Sequence, residues 1–298
     1  MARRGARRGG ARCRPGRVVR DGRGARTAGH RRGARRGHPR DRRRRGPGRD
    51  AARRPLRRAS GALARSDRGA RVILEAKGVS FTYPRGGAVF SELDVSLAKG
   101  EMVSLEGPSG SGKTTLLTVL AGLVRPTAGT VTLAGSRLDT LDDRGRARAR
   151  RDHVGFVFQG YHLLTALTAR QNVVEPMVLA GRPRKDAEAR ADATLERLGL
   201  RALASQRPAE LSGGEKQRVA VARAIAPSPD VVFADEPTAA LDFRTGQVVV
   251  GLLRDFATAG GTVLLVTHDT RLRPFVDRLL TMEDGRLSAP ELSHEGRT

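Results

Sequence analysis

The chain has 298 residues and a formal net charge of +25, yet residues 1–70, with 26 Arg against 4 Asp, hold +22 of it and leave +3 for residues 71–298. No apolar run approaches the ~18 residues a membrane helix needs, and the N-terminus has no apolar stretch of the secretory type, which predicts a cytoplasmic chain. Cys13, the only cysteine, excludes an intrachain disulfide and a cysteine metal cluster, and 3% aromatic residues with no Trp exclude a stacking platform for single-stranded nucleic acid.

Residues 1–71 form an Arg-rich tail with Met1, Val18, Val19, Leu56 and Leu63 as its sizeable aliphatic residues. Too little apolar surface is available there to offset the ordering of some seventy backbones, so the tail is expected to be disordered. One reading makes it a polycation for nucleic acid or anionic lipid, since blocks of Arg attract phosphate whatever the sequence. A second treats it as unselected coding ahead of a start at Val72, because GC-rich codons supply Arg, Gly, Ala and Pro and no Lys accompanies the Arg.

Residues 72–98 alternate apolar and polar positions, as at Val79, Phe81 and Tyr83 and again at Phe90, Leu93, Val95 and Leu97. This predicts edge strands of a small antiparallel sheet. A short buried strand over 102–106 then runs into a glycine-rich turn and a helix over 113–121. The turn, GPSGSGKT at 107–114, carries the full G-x-x-x-x-G-K-[ST] pattern. Gly107, Gly110 and Gly112 permit a turn tight enough for consecutive N–H groups to face a β-phosphate, at the positive end of the following helix. Lys113 would reach the β- and γ-phosphates and the Thr114 hydroxyl would take magnesium. Pro108, Ser109, Ser111 and Thr115 complete the nucleotide-binding set.

Residues 131–133 close this sheet region. Arg144, Arg146, Arg148, Arg150 and Arg151 read as a solvated helix and not as a nucleic-acid patch, because Asp139, Asp142, Asp143 and Asp152 flank them. A strand over 154–158 ends at Gln159, and from 163 to 203 the pattern turns helical, with a charge-mixed stretch at 185–198. LSGGEKQR follows at 211–218, with Ser212 suited to a helix N-cap and an amphipathic helix over 215–225 that directs Val219, Ala222 and Ile225 inward. In VVFADE at 231–236 an apolar strand ends in two carboxylates with separate tasks: Asp235 to hold magnesium, Glu236 to act as general base. Residues 263–267 form a second apolar, β-branched run, which with 231–234 reads as central parallel strands covered on both faces. His268 comes directly after it.

A phosphate loop, LSGGEKQR and a strand ending in Asp-Glu, in that order, resemble the nucleotide-binding domain of ATP-binding cassette (ABC) proteins over about 74–287. The resemblance implies an α/β fold: a P-loop NTPase (RecA-like) core with an antiparallel β subdomain and an α-helical signature subdomain. It divides the chain into a tail at 1–71, an ATPase domain at 72–290 and a C-terminal tail at 291–298. Two copies would enclose two ATP. Ser212, Gly213, Gly214 and Glu215 of one copy would then face the γ-phosphate held by the other. Gln159 looks like the glutamine that touches magnesium and water, so that Thr114, Gln159 and Asp235 form the Mg2+ set. His268 looks like the switch histidine, acting with Glu236 and Lys113 in catalysis. Tyr83 falls where the family stacks an aromatic ring on adenine, and Asp242, ending the loop at 239–242, would reach across the dimer. Close transporter groups read Thr-Gly-Asn-Leu-Asp where this chain has Thr238, Ala239, Ala240, Leu241 and Asp242, a departure that bears on the group and not on ATPase chemistry.

Residues 155–181 and 207–218 most resemble ATPases of the lipoprotein-release and macrolide-efflux group. That implies a peripheral position on the inner face of the cell membrane, integral-membrane permease subunits as partners, a second ATPase subunit and no specific nucleic acid. An amino-acid uptake ATPase is the alternative among transporters. A soluble ABC protein of DNA repair or the ribosome is the alternative from another class. Against it stand the single cassette, the lack of a coiled-coil insert and the lack of a cysteine pair.

Overall fold

The computed structural model describes residues 71–289. The expectations for the tail at 1–70, and for residues beyond 289, lie outside these described residues.

Strand β1 (Val72–Thr82) pairs antiparallel with β2 (Ala88–Ala98). Next come β3 (Met102–Glu106), α1 (Lys113–Leu120), β4 (Ala128–Leu133), β5 (Ser136–Arg137), α2 (Asp143–His153) and β6 (Val154–Val157). Two helices, α3 (Ala169–Leu179) and α4 (Arg184–Arg197), precede α5 (Gly213–Ile225), β7 (Val231–Asp235) and α6 (Phe243–Thr258). The described part ends with β8 (Thr262–Val266), a 3-10 turn (Thr270–Phe275), β9 (Arg278–Glu283) and β10 (Arg286–Ser288).

Two sheets result. One has four antiparallel strands in the order β2-β1-β4-β5, the other six strands in the order β10-β9-β3-β8-β7-β6. In the second sheet β9, β3, β8, β7 and β6 run parallel and β10 turns back on β9. Every residue of β3 and β8 is buried, as expected of parallel strands covered on both faces. The two faces alternate residue by residue. Leu105, Phe233, Leu264 and Val266 pack toward α1 and the antiparallel sheet, while Met102, Val232, Ala234 and Leu265 pack toward α6. Each fully buried Leu or Phe in these layers contributes about 1.5–3 kcal/mol. A third core joins α3, α4 and α5 through Val173, Met177, Leu195, Val219 and Ala222.

The structure corrects three sequence expectations. Only β2 is an edge strand at 72–98; β1 lies inside its sheet because β4 pairs along its other side, Leu74 opposite Leu133. The helical stretch expected over 163–203 begins only at Ala169. Buried Asn172 accounts for this, accepting from the Leu164 N–H and donating to the carbonyls of Leu164, Leu167 and Thr168, so it satisfies a loop ahead of the helix. Thr168 then starts α3 with a reciprocal cap to Gln171. Finally, Tyr83 lies just past the end of β1 rather than on the strand.

The arginine-rich α2 is a surface helix with Ala149 as its buried residue. Arg146 and Arg150 nevertheless reach inward to the carbonyls of Leu141 and Gly122.

Candidate functional site

The strand order brings four loops to one end of the parallel sheet. The segments after β3, β8, β7 and β6 supply the loop at 107–112, His268, Glu236 and Gln159. Ligands of open α/β sheets bind at this carboxyl end, where loops converge and helix N-termini point.

At Gly107 the backbone has φ 144°, and a Cβ would collide with the Met282 carbonyl of β9. Gly110 (φ 81°) and Gly112 (φ 104°) continue the turn into α1, which Gly112 caps without any side-chain hydrogen bond. The first N–H groups of α1 therefore lack a side-chain cap and supply an anion site. Ser111 is buried, and its hydroxyl has no protein partner. The Lys113 ammonium folds over the loop, donating to the carbonyls of Gly107 at 2.8 Å and Pro108 at 2.7 Å. Pro108, Ser109 and Gly110 are exposed around it.

Thr114 lies across from β7, its hydroxyl 3.4 Å from Asp235 Oδ1. Burial pushes the Asp235 carboxyl up from its ordinary value, against the Thr114 hydrogen bond and Lys113, and the neighbouring Glu236 charge adds to the rise. A cation beside Asp235 would reverse this. Glu236 itself has φ 47°. Its Oε1 stands 2.9 Å from His268 Nδ1, while Oε2 is buried without a protein partner. The Glu236 side chain is 18% exposed and the His268 side chain 71%, so the histidine faces solvent over the carboxylate.

Asp235, the Thr114 hydroxyl and exposed Gln159 in the turn after β6 are hard oxygen donors. Among the described residues no group of three His, Cys, Asp or Glu could hold a metal by itself. That donor set fits magnesium, which takes one or two carboxylates and completes its shell with phosphate and water. Orphaned Ser111 Oγ and Glu236 Oε2, together with the glycine path at 107, fit a phosphate chain and an attacking water.

Tyr83 is 49% exposed, and its hydroxyl lies 3.1 Å from Thr115 Oγ1. Its ring stands edge-on to Phe81, flanking the phosphate loop. Ser212 caps α5 by accepting from the Glu215 N–H, and the Glu215 carboxylate accepts from the Ser212 N–H in return. Gly214 lies so close to α6 that a Cβ would meet the Thr245 side chain. Asp242 caps α6, accepting from the N–H and hydroxyl of Thr245.

The fold thus joins Lys113, Thr114 and Asp235, and separately Glu236 with His268. Ser212, Gly213, Gly214 and Glu215 pack instead beside the loop ending at Asp242. Two contributors escaped the sequence reading. Arg271 grips Asp269 with two hydrogen bonds of 2.8 Å and stacks 4.3 Å over the Phe243 ring, tying the histidine loop to the start of α6. Arg223 of α5 donates to the carbonyls of Tyr161 and His162 in the loop after Gln159. Only Asp269, polar and next to His268, could have signalled the first; nothing local signalled the second.

A family model described as ABC transporter matches residues 90–239. The chain is 45% identical over 218 residues to the macrolide export ATP-binding/permease protein MacB of Salmonella typhimurium, covering 72% of this chain and 34% of that protein. It therefore spans about a third of the length of those relatives. It is 44% identical to the lipoprotein-releasing system ATP-binding protein LolD of Shewanella oneidensis, over 74% of this chain and 97% of that one. Among solved structures, the dimeric ATP-binding cassette MJ0796, in a post-hydrolysis state bound to ADP and Pi, matches with a TM-score of 0.67. Its identity is 36%, covering 72% of this chain and 98% of that one.

Proposed function

The chain belongs to the ABC transporter family, and from that membership we propose that it pairs with a second copy around two ATP and drives a separate membrane permease of the export or lipoprotein-release type. The observation that carries the reading is the convergence of Lys113, Thr114, Asp235, Glu236 and His268 at the carboxyl end of one parallel sheet.

The chain is an ATPase, and phosphoryl transfer asks of it mainly positioning and charge stabilisation. Backbone N–H groups of 107–113 and the Lys113 ammonium would hold the phosphates, with Pro108, Ser109, Ser111 and Thr115 shaping the loop. Tyr83 would stack on adenine. Magnesium, held by Thr114, Gln159 and Asp235 with phosphate oxygens and water, would neutralise charge at the phosphates. Glu236 Oε2, which has no protein partner, would accept the proton of an attacking water, while Oε1 meets His268 Nδ1 at 2.9 Å. The second copy would contribute Ser212, Gly213, Gly214 and Glu215, which this chain holds away from its own phosphate loop, and Asp242 would meet that copy. One chain supplies every motif, which favours a homodimer with two competent sites. The domain would span 72–290.

Among the described residues no helix is long and apolar enough to cross a membrane. We place the chain on the cytoplasmic face of the membrane, held there by the permease, with support from the relatives named for macrolide export and lipoprotein release.

Magnesium-dependent ATP hydrolysis by the full chain tests the proposal. Glu236→Gln should keep ATP affinity and lose about 10² to 10⁴ of turnover. Parental turnover in that variant would remove Glu236 from the reaction.

A further inference from the structure

Two consecutive non-glycine residues, Tyr161 (φ 60°) and His162 (φ 48°), occupy the left-handed region directly after Gln159 and Gly160. L-residues seldom adopt that conformation, and it persists where surrounding contacts over-determine it. Here the contact is Arg223. Its guanidinium donates to the Tyr161 carbonyl at 2.8 Å and to the His162 carbonyl. Burial pushes its pKa below the ordinary arginine value. A half-buried cation whose partners are only carbonyls is costly unless those carbonyls are well placed.

The turn is pinned at two more points. A methyl at position 213 would sit 3.2 Å from the Tyr161 hydroxyl, so Tyr161 spans from Arg223 to the turn that opens α5. The His162 ring rests against Phe158, 4.6 Å between centroids, and Phe158 is the residue before Gln159. Gln159 therefore stands in a loop fastened at its far side to α5.

We propose that Arg223 is a positioning residue for ATP hydrolysis: it holds the Tyr161–His162 turn in its left-handed form and thereby fixes Gln159 relative to the helix that carries Ser212, Gly213 and Gly214. The proposal rests on the ATPase reading. Arg223 touches no part of the phosphate loop, so its loss should move turnover and leave nucleotide affinity alone.

The test uses the full chain. Arg223→Met removes the donors and keeps the apolar stem. Its kcat should fall about 10- to 100-fold, up to the cost of a 1 Å displacement at the reacting centre, with KM for ATP and Kd for ADP within about twofold of the parent. Glycine adopts the left-handed region without strain. In a His162→Gly background the loss from Arg223→Met should therefore shrink to under about threefold, a coupling that a double-mutant cycle isolates. A parental kcat in Arg223→Met, or an equal loss in both backgrounds, would overturn the proposal. Should Arg223→Met fail to fold, the comparison of His162→Val with His162→Gly decides. Valine, which resists positive φ, should lower kcat and glycine should not; equal values would overturn it. An inactive parent would refute the ATPase reading, whereas an active parent with silent variants refutes this proposal alone.

Discussion

Position 107 admits one residue type. With φ 144° and the Met282 carbonyl where a Cβ would stand, the loop can follow its path only with glycine. Gly107→Ala should displace the loop from β9 and abolish ATP binding while the layered core keeps the chain folded. Calorimetric titration with ATP, set beside circular dichroism of the same sample, checks both halves, and parental affinity in the variant would contradict the loop geometry. Glu236 is strained in the same sense, a non-glycine at φ 47°. Its N–H donates to the Val266 carbonyl at 2.9 Å and its carboxylate meets His268, so the end of β8 and the segment after it hold both ends of the residue. Strain held this way is typical of functional positions, and it leaves Oε2 buried without a protein partner.

Helix α6 begins at Asp242, and the manner of its capping separates two roles for that residue. The Thr245 hydroxyl, then the Thr245 N–H, hold the Asp242 carboxyl below its ordinary value. A carboxylate depressed in the folded state stabilises above its unfolded pKa, and that stabilisation is lost as pH falls through the folded pKa. Asp242→Ala should thus lower the melting temperature throughout the neutral range, and the gap to the parent should close under strong acid. Asparagine caps equally well without charge, so Asp242→Asn should melt like the parent at pH 7. If the charge also serves the partner copy, its turnover should still fall. Thermal melts across pH with parallel ATPase assays decide the matter, and parental turnover in Asp242→Asn would confine the residue to capping. Helix α5 uses the same device at Ser212 and Glu215, so the serine proposed to face a partner's nucleotide is also the cap of its own helix.

Across the whole molecule, the elements legible in the sequence are those whose pattern is local. Residues 231–234 and 263–267 are apolar and β-branched enough to declare central parallel strands and 102–106 a short buried one, and the phosphate loop stands between strand and helix as its pattern requires. What escaped depends on contacts distant in sequence. Strand β9 mixes Arg278, Thr281 and Glu283 with apolar residues and gains its place by pairing with β3 on one side and β10 on the other. Glu236 and His268 meet because β7 and β8 are neighbours, an order that no local period encodes. The grips of Arg223 and Arg271 are likewise tertiary. The proposed site spans two chains: Gly213 and Gly214 pack against Leu241 and Thr245 of their own copy, and a second copy would bring the turn at 212–215 to the phosphate loop. Sedimentation of the full-length Glu236→Gln variant with magnesium tests this most directly. Saturating ATP should convert it to a species of twice the 32.0 kDa of one chain, while ADP leaves it single. A chain that stays monomeric under saturating ATP would contradict the composite site.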